Sequence, residues 1–278
     1  MPEDNKDECL SRVAGQQPIV RVLCAAGLGP ATRCAGMVRG GRLAVNGQPL
    51  RDPRGRADPF RDLITLDREP LPLDRACHYL MLHKPFGVLC AFTDPAGRPT
   101  LADYVDVPGV YAAGRLDLDS EGLVLLTGDG WLIHRLSHPR YHQPKTYLVQ
   151  VERIPDAKAL DALRQGVVTK GRRTARATAE LLPERPDLPP RSKPIRQRQT
   201  VPTAWLRIVL TEGRKRQVRH MTASVGHPTL RLVRVAIGPL ELGDLQPGEW
   251  RELSPGELDA LWQALHAGTV SRPRKHRP

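Results

Sequence analysis

Aromatic residues are scarce in this chain: Phe, Trp and Tyr together make up 4% of its 278 residues. That shortage argues against a nucleic-acid platform of aromatic rings stacked across a sheet. Cysteine is sparse too. Cys9, Cys24, Cys34, Cys77 and Cys90 are odd in number, and no two stand in CxxC spacing. Neither a disulfide framework nor a structural zinc site is supported, and reduced thiols in the cytoplasm are expected, with Cys90 buried. No apolar run approaches the roughly 20 residues of a membrane helix. The acid-rich start, MPEDNKDECL, is unlike a secretory signal. Acid is otherwise in deficit: 42 Lys and Arg face 30 Asp and Glu, a net charge of +12. Such an excess favours a polyanionic partner, because neutralised phosphates release counterions. Nucleic acid stands ahead of a membrane surface, and binding would rest on Arg and Lys.

What is present falls into two parts. Residues 1–16 read as disordered, as does the basic tail at 268–278. Residues 18–26 and 31–39 carry short helical patterns, each ended by glycines. RLAVNGQPL follows, where Asn46-Gly47 between apolar runs predicts a tight two-residue hairpin turn. These pieces make a small unit over 17–67, joined by a linker at 68–76 to a larger domain at 77–267. In the larger domain, strands are expected at 79–82 and 88–92 around the turn KPFG, then at 123–127, 145–151, 204–210 and 230–237. Helices are expected at 130–136, 156–165 and 214–225. Residues 183–202 hold six prolines and five basic residues, an extended loop that is either a solvated connection or a phosphate contact. SPGE at 254–257 is a capping box with proline at the first helical position, opening a helix to about residue 267.

Three clusters can carry chemistry. In GRLDLDSEGLVLLTGDG, residues 114–130, Asp117, Asp119 and Glu121 precede Gly122. A calcium loop places oxygen ligands at its first, third and fifth positions, glycine at the sixth and glutamate at the twelfth. Counted from Asp117 the twelfth position is Gly128, so the bidentate ligand is missing. What remains is a solvated acidic turn or a catalytic one. Arg115 stands two residues before Asp117, and a nearby guanidinium keeps a carboxylate ionised. An ionised carboxylate is a usable nucleophile toward a sugar anomeric carbon. The second cluster, TEGRKRQVRHM at 211–221, crowds Arg214, Lys215, Arg216, Arg219 and His220 together with no acid after Glu212. On the expected helix Lys215 and Arg219 share a face beside Val218, Met221 and Val225. Their repulsion calls for an anion, either phosphate or a carboxylate such as Asp117. In the third, QPKTYLVQV at 143–151, Tyr147 alternates with Lys145, Val149 and Val151. It is either a core tyrosine with a bonded hydroxyl or a ring that stacks on a base.

Together these pieces resemble the RsuA-type branch of the ribosomal RNA pseudouridine synthases. GRLDLDSEGLVLLTGDG, LHKPFGVLCAF, PKTYLV, EGRKRQVRHM and GHPTLRLVRVAIGPL occur in the family's order over about residues 77–255. The stretch from IRQRQT to PTLRL is most similar to the large-subunit synthases of the E subgroup. The resemblance implies an α+β fold: a mixed, mainly antiparallel sheet with flanking helices and a central cleft. It also implies an amino-terminal S4-like RNA-binding domain, through GGRLAVNGQPLRDP. The implied roles are Asp117 as essential carboxylate, Tyr147 packing on the target base and assisting proton removal, and Arg219 pairing with the carboxylate. Arg115 is implied to position the RNA. Lys84, Lys145, Arg214, Lys215, Arg216, Arg33 and Arg42 are the further candidate RNA contacts. No metal and no cofactor are implied, the partner is ribosomal RNA or a pre-ribosomal particle, and the protein is expected to be a monomer away from membranes. The implied reaction isomerises uridine, and Asp117 either attacks C1′ or abstracts a sugar proton. A non-catalytic ribosome-assembly factor on the same scaffold is the alternative.

Overall fold

The computed structural model describes residues 17–59, 62–71, 78–195 and 200–267. The two expected disordered ends, most of the linker, Cys9 and Cys77 lie outside the described residues. The chain divides into two compact units: residues 1–79, 106–113 and 126–134, and residues 80–105, 114–125 and 135–278.

The first unit opens with strand β1 (Gln17–Pro18) and helices α1 (Ile19–Ala25) and α2 (Ala31–Arg39). Five short strands follow: β2 (Leu43–Val45), β3 (Gln48–Leu50), β4 (Arg56–Ala57), β5 (Ile64–Leu66) and β6 (Glu69–Pro70). Asn46 and Gly47 both have positive φ, 51° and 78°, the backbone that a tight hairpin turn between β2 and β3 demands. Ile19, Leu23, Val38, Leu43 and Ile64 form the centre of its core. Cys24 and Cys34 are free thiols with sulfurs 3.7 Å apart. Burial pushes the Cys24 thiol up to about 12, where the reactive thiolate is scarce.

The rest of the chain builds one main sheet. Its first members are β7 (Tyr79–Lys84), β8 (Tyr111–Ala112) and β9 (Glu121–Thr127). Helix α3 (Gly130–Ser137), β10 (Lys145–Glu152) and helix α4 (Ala157–Gln165) come next. They are followed by β11 (Val168–Thr169), β12 (Arg172–Arg173), β13 (Thr178–Leu181) and β14 (Thr203–Leu210). Helix α5 (Gln217–Ser224), β15 (Thr229–Ile237), β16 (Leu240–Glu241), β17 (Trp250–Glu252) and helix α6 (Pro255–Ala267) complete the chain. The order in the main sheet is β13-β14-β10-β15-β9-β7-β17, with β16 on β15 and β8 on β9, while β11 and β12 pair with each other as a separate hairpin. Most of the pairings are antiparallel, while β9 runs parallel to β15. This is the mixed α+β architecture with a mainly antiparallel sheet that was expected.

Period explains the strands that position the site. In β10 Tyr147, Val149 and Val151 are buried while the residues between them are half-buried, the alternation of a strand with one face on the core. Every residue of β9 is buried, which fits its nearly unbroken apolar run. The capping box also forms: Ser254 N donates to Glu257 Oε2 at 2.8 Å, and Glu257 N donates to Ser254 Oγ at 3.3 Å.

Two expected elements differ. Residues 88–92 are not a strand; they make a single bridge, between Leu89 and Thr100. Leu89 N instead donates to Pro99 O, and Leu101 N to Ala91 O, so a returning loop satisfies this backbone. Helix α5 begins at Gln217, three residues later than expected. Arg216 has φ 56°, which is not helical, and the Gln217 side chain accepts from Arg214 N at 2.9 Å. Arg214, Lys215 and Arg216 therefore lie in a turn ahead of the helix, and Lys215 does not share a helical face with Arg219.

Candidate active site

A cavity of about 540 Å³ opens in the second unit. Its walls come from the 114–120 loop, the start of β10, the end of β14, the 211–216 turn and β15. The motifs separated along the chain thus meet in one place.

The loop is shaped locally. Ser120 N donates to Asp117 O at 3.0 Å, closing a turn. Leu118 O accepts from Gly87 N at 2.9 Å, so the KPFG turn buttresses the loop. Gly122 is required where the loop enters β9: a Cβ there would lie 2.2 Å from Arg234 O on the neighbouring strand, and φ is +106°.

Asp117 and Tyr147 both line the cavity. Asp117 is half-buried. Tyr147 is 8% exposed and sits between Ile208 and Arg234 in the strand register. Its hydroxyl makes no hydrogen bond among the described residues, unlike a core tyrosine with a bonded hydroxyl.

The expected arginine partners of Asp117 are corrected. Arg115 lines the cavity but is exposed and pairs with no carboxylate among the described residues. Arg219 pairs with Asp119: Nε lies 3.3 Å from Oδ2, and Nη2 donates to the Asp119 backbone O at 2.6 Å. Arg216 makes a two-pronged contact with the same carboxylate, 2.8 Å from each oxygen. The contacts from Arg216 and from the first turn of α5 thus go to Asp119. Burial works against the charge of Asp119, but the Arg216 hydrogen bonds and the two guanidinium charges outweigh it and hold the carboxyl below its ordinary range. Burial pushes Arg219 down, yet a guanidinium stays charged. The Asp117 charge also reaches both arginines.

Lys84 is corrected as well. It is fully buried, and its ammonium donates to Pro85 O and Val88 O at 2.8 Å each. It pins the KPFG turn and presents nothing to RNA. Burial drives its pKa down to about 8. Lys145 lines the cavity, half-buried, and donates to Gln143 O at 3.0 Å. Burial, then the charge of Arg234, lowers it to about 8. Arg214 is held by Glu212 at 3.1 Å and by Arg173 O at 2.9 Å, whereas Lys215 is exposed at the mouth. In the first unit Arg33 is exposed on α2, and Arg42 is exposed and paired with Asp67.

Glu121, grouped by sequence with Asp117 and Asp119, parts from them: it points inward and makes a two-pronged pair with Arg231, at 3.0 and 2.8 Å, which nothing in the sequence marked. Arg231 also donates to Pro189 O at 2.8 Å, and the Arg191 guanidinium lies 4.2 Å from the Phe86 ring. These contacts tether the proline-rich loop. Arg234, 2% exposed, forms part of the cavity wall. Two arginines inside the apolar run TLRLVRV were the available signal, since buried cations need partners.

Residues 78–224 match the family model described as RNA pseudouridylate synthase. A Xanthomonas campestris protein named ribosomal large subunit pseudouridine synthase E is 58% identical over 174 residues, 62% of this chain and 93% of that protein. An Aquifex aeolicus protein named as an uncharacterized RNA pseudouridine synthase is 36% identical over 260 residues, 92% of this chain and 98% of its own length. A crystal structure described as pseudouridylate synthase superposes with a TM-score of 0.59 at 28% identity, covering 87% of this chain and 98% of that one.

Proposed function

The chain belongs to the RNA pseudouridylate synthase family, and from that premise we propose that it isomerises uridine to pseudouridine in large-subunit ribosomal RNA, with Asp117 as the essential carboxylate. One observation carries the reading: Asp117 and Tyr147, 30 residues apart in sequence, face a single cavity large enough for a nucleoside. The name of the Xanthomonas relative supports the large subunit as the source of the substrate.

The chemistry follows from the groups present. A base inside a helix cannot be rearranged in place, so the target nucleotide must leave its stack, at a cost of a few kcal/mol. The exposed Arg115 and Lys215 at the mouth offset part of that cost through phosphate contacts. Inside, the N1–C1′ bond breaks, the ring turns, and C5 joins C1′; the C5 proton is lost and N1 gains one. Asp117 starts the sequence either by attacking C1′ or by taking a sugar proton. The Tyr147 ring packs against the base, and its unbonded hydroxyl is available for proton removal at C5. The amino-terminal unit resembles an S4 domain, and we assign it to RNA docking through its exposed Arg33.

The test is a deletion strain complemented with wild-type protein or Asp117→Asn. Ribosomal RNA pseudouridines are then mapped. Wild type should restore at least one site lost on deletion, and Asp117→Asn should restore none while binding RNA within about threefold of wild type. Restoration by Asp117→Asn would sink the assignment.

A further inference from the structure

Besides the exposed Arg115 and Lys215, the cavity wall holds half-buried Lys145 and buried Arg234, which no carboxylate among the described residues neutralises. Tyr147 and Arg234 are register partners on β10 and β15, so their side chains leave the same face of the sheet. Lys145 stands two residues before Tyr147 on β10, and all three line the cavity. Arg234 is 2% exposed. Its Nε donates to Leu123 O at 2.7 Å, while its Nη2 is buried with no partner among the described residues. Among the described residues Lys145 has only the Gln143 carbonyl as a partner. By contrast, Arg214 and Arg216 at the mouth are satisfied by Glu212 and Asp119. A buried guanidinium with a spare donor, next to a second cation, is costly to fold. Burial first, and the charge of Arg234 second, disfavour the charged form of Lys145. The arrangement is relieved when negative charge forms in the cavity.

We propose that Lys145, backed by Arg234, stabilises the detached uracil ring as an anion. The inference rests on the uridine-isomerising function proposed above. When N1–C1′ breaks, its electron pair stays on N1 and spreads onto O2 and O4 of the ring. This holds whether Asp117 attacks C1′ or a sugar proton is lost, so the anion is common to both routes. Lys145 Nζ donates to a ring carbonyl oxygen. Arg234 does not touch the ring; its fixed charge in the wall adds to the field there. Preorganised donors aimed at charge that develops during reaction are among the strongest catalytic devices. When C5 then bonds to C1′, the C5 proton leaves and N1 is protonated, so the charge exists only between the two bond changes. Tyr147, between the two cations, holds the ring against this wall as it turns.

The test uses the full chain and an RNA carrying the mapped uridine or 5-fluorouridine at that position. The fluorinated ring is the more stable anion and needs less help in leaving. Single-turnover loss of the N1-linked target nucleotide, the step common to both rings because the fluorinated one has no C5 proton to lose afterwards, is measured for wild type, Lys145→Met and Lys145→Arg, with RNA affinity measured alongside. Lys145→Met should slow conversion of uridine by about 100-fold and of 5-fluorouridine by about 10-fold, with affinity unchanged within about threefold. Lys145→Arg should recover most of the rate. Equal losses on both rings, or a loss carried wholly by affinity, would overturn the proposal. A wild-type protein that converts neither substrate would overturn the isomerase reading and this inference with it.

Discussion

Asp119 and Glu121 stand two residues apart and meet arginine in opposite settings. At the cavity mouth the Asp119 side chain is 32% exposed, with Arg216 at 38% and Arg219 at 12%. Inside the sheet Glu121 is 2% exposed and Arg231 4%. Water screens the first cluster, so little stability comes from it. Its effect is geometric: Arg216 just ahead of α5 and Arg219 in its first turn clamp the loop that carries Asp117. The second pair is withdrawn from water, and such a pair is tolerated only when both partners are present and fully bonded. Identical chemistry thus serves a site in one place and a scaffold in the other, with burial deciding which.

That contrast can be broken at its buried end first. Glu121→Ala leaves Arg231 charged and alone, and chemical denaturation should show a loss of about 3–5 kcal/mol. Replacing both partners together, as Glu121→Leu with Arg231→Met, should return most of that loss. If the single and double variants were equally damaged, burial would not be the deciding factor.

At the mouth the expected effect is smaller and of another kind. Asp119→Asn should leave the unfolding free energy within about 1 kcal/mol of wild type but lower kcat by about 30-fold, close to 2 kcal/mol of barrier. The loss should fall on kcat more than on KM, because Asp119 positions the loop and touches no substrate. An unchanged kcat would remove the clamp from the account.

A third carboxylate and arginine, Glu257 and Arg251 at the start of α6, calibrate the exposed case. Their closest contact is 2.7 Å, and the Glu257 side chain is 27% exposed. Hydrogen bonds from Arg251 come first in lowering Glu257 from 4.5 to about 2. A depressed carboxyl stabilises the fold above its unfolded pKa and loses that contribution as pH falls through the folded value. Glu257→Gln should therefore cost about 1 kcal/mol at neutral pH, as for a lost helix cap. The gap from wild type should close between pH 4.5 and about 2. Thermal melts at several pH values check this, and a gap that persists at pH 2 would rule it out.

Much of the molecule was legible because it is local. The Asn46-Gly47 turn needs only two residues with positive φ. Tyr147 shows its strand face by alternation, and SPGE shows its cap by spacing. The start of α5 falls three residues later than its pattern suggests, because helix propensity gives way to the Gln217 side chain bonding back to Arg214. Residues 88–92 failed as a strand because their donors and acceptors are taken by a loop ten residues on. Lys84 resembled an RNA contact in LHKPFG, and nothing in that string shows that two carbonyls wait for its ammonium.

The sequence alone determined which motifs are present, their order, and therefore the family and the carboxylate to watch. It also determined the excess of positive charge. Tertiary structure decided which arginine meets which carboxylate. Arg216 and Asp119 are 97 residues apart and Arg231 and Glu121 are 110 apart, so their pairing is set by strand register and by where α5 begins. Burial decided the rest, because the same ion pair is weak in water and consequential out of it, and no string of residues states how much water reaches a side chain.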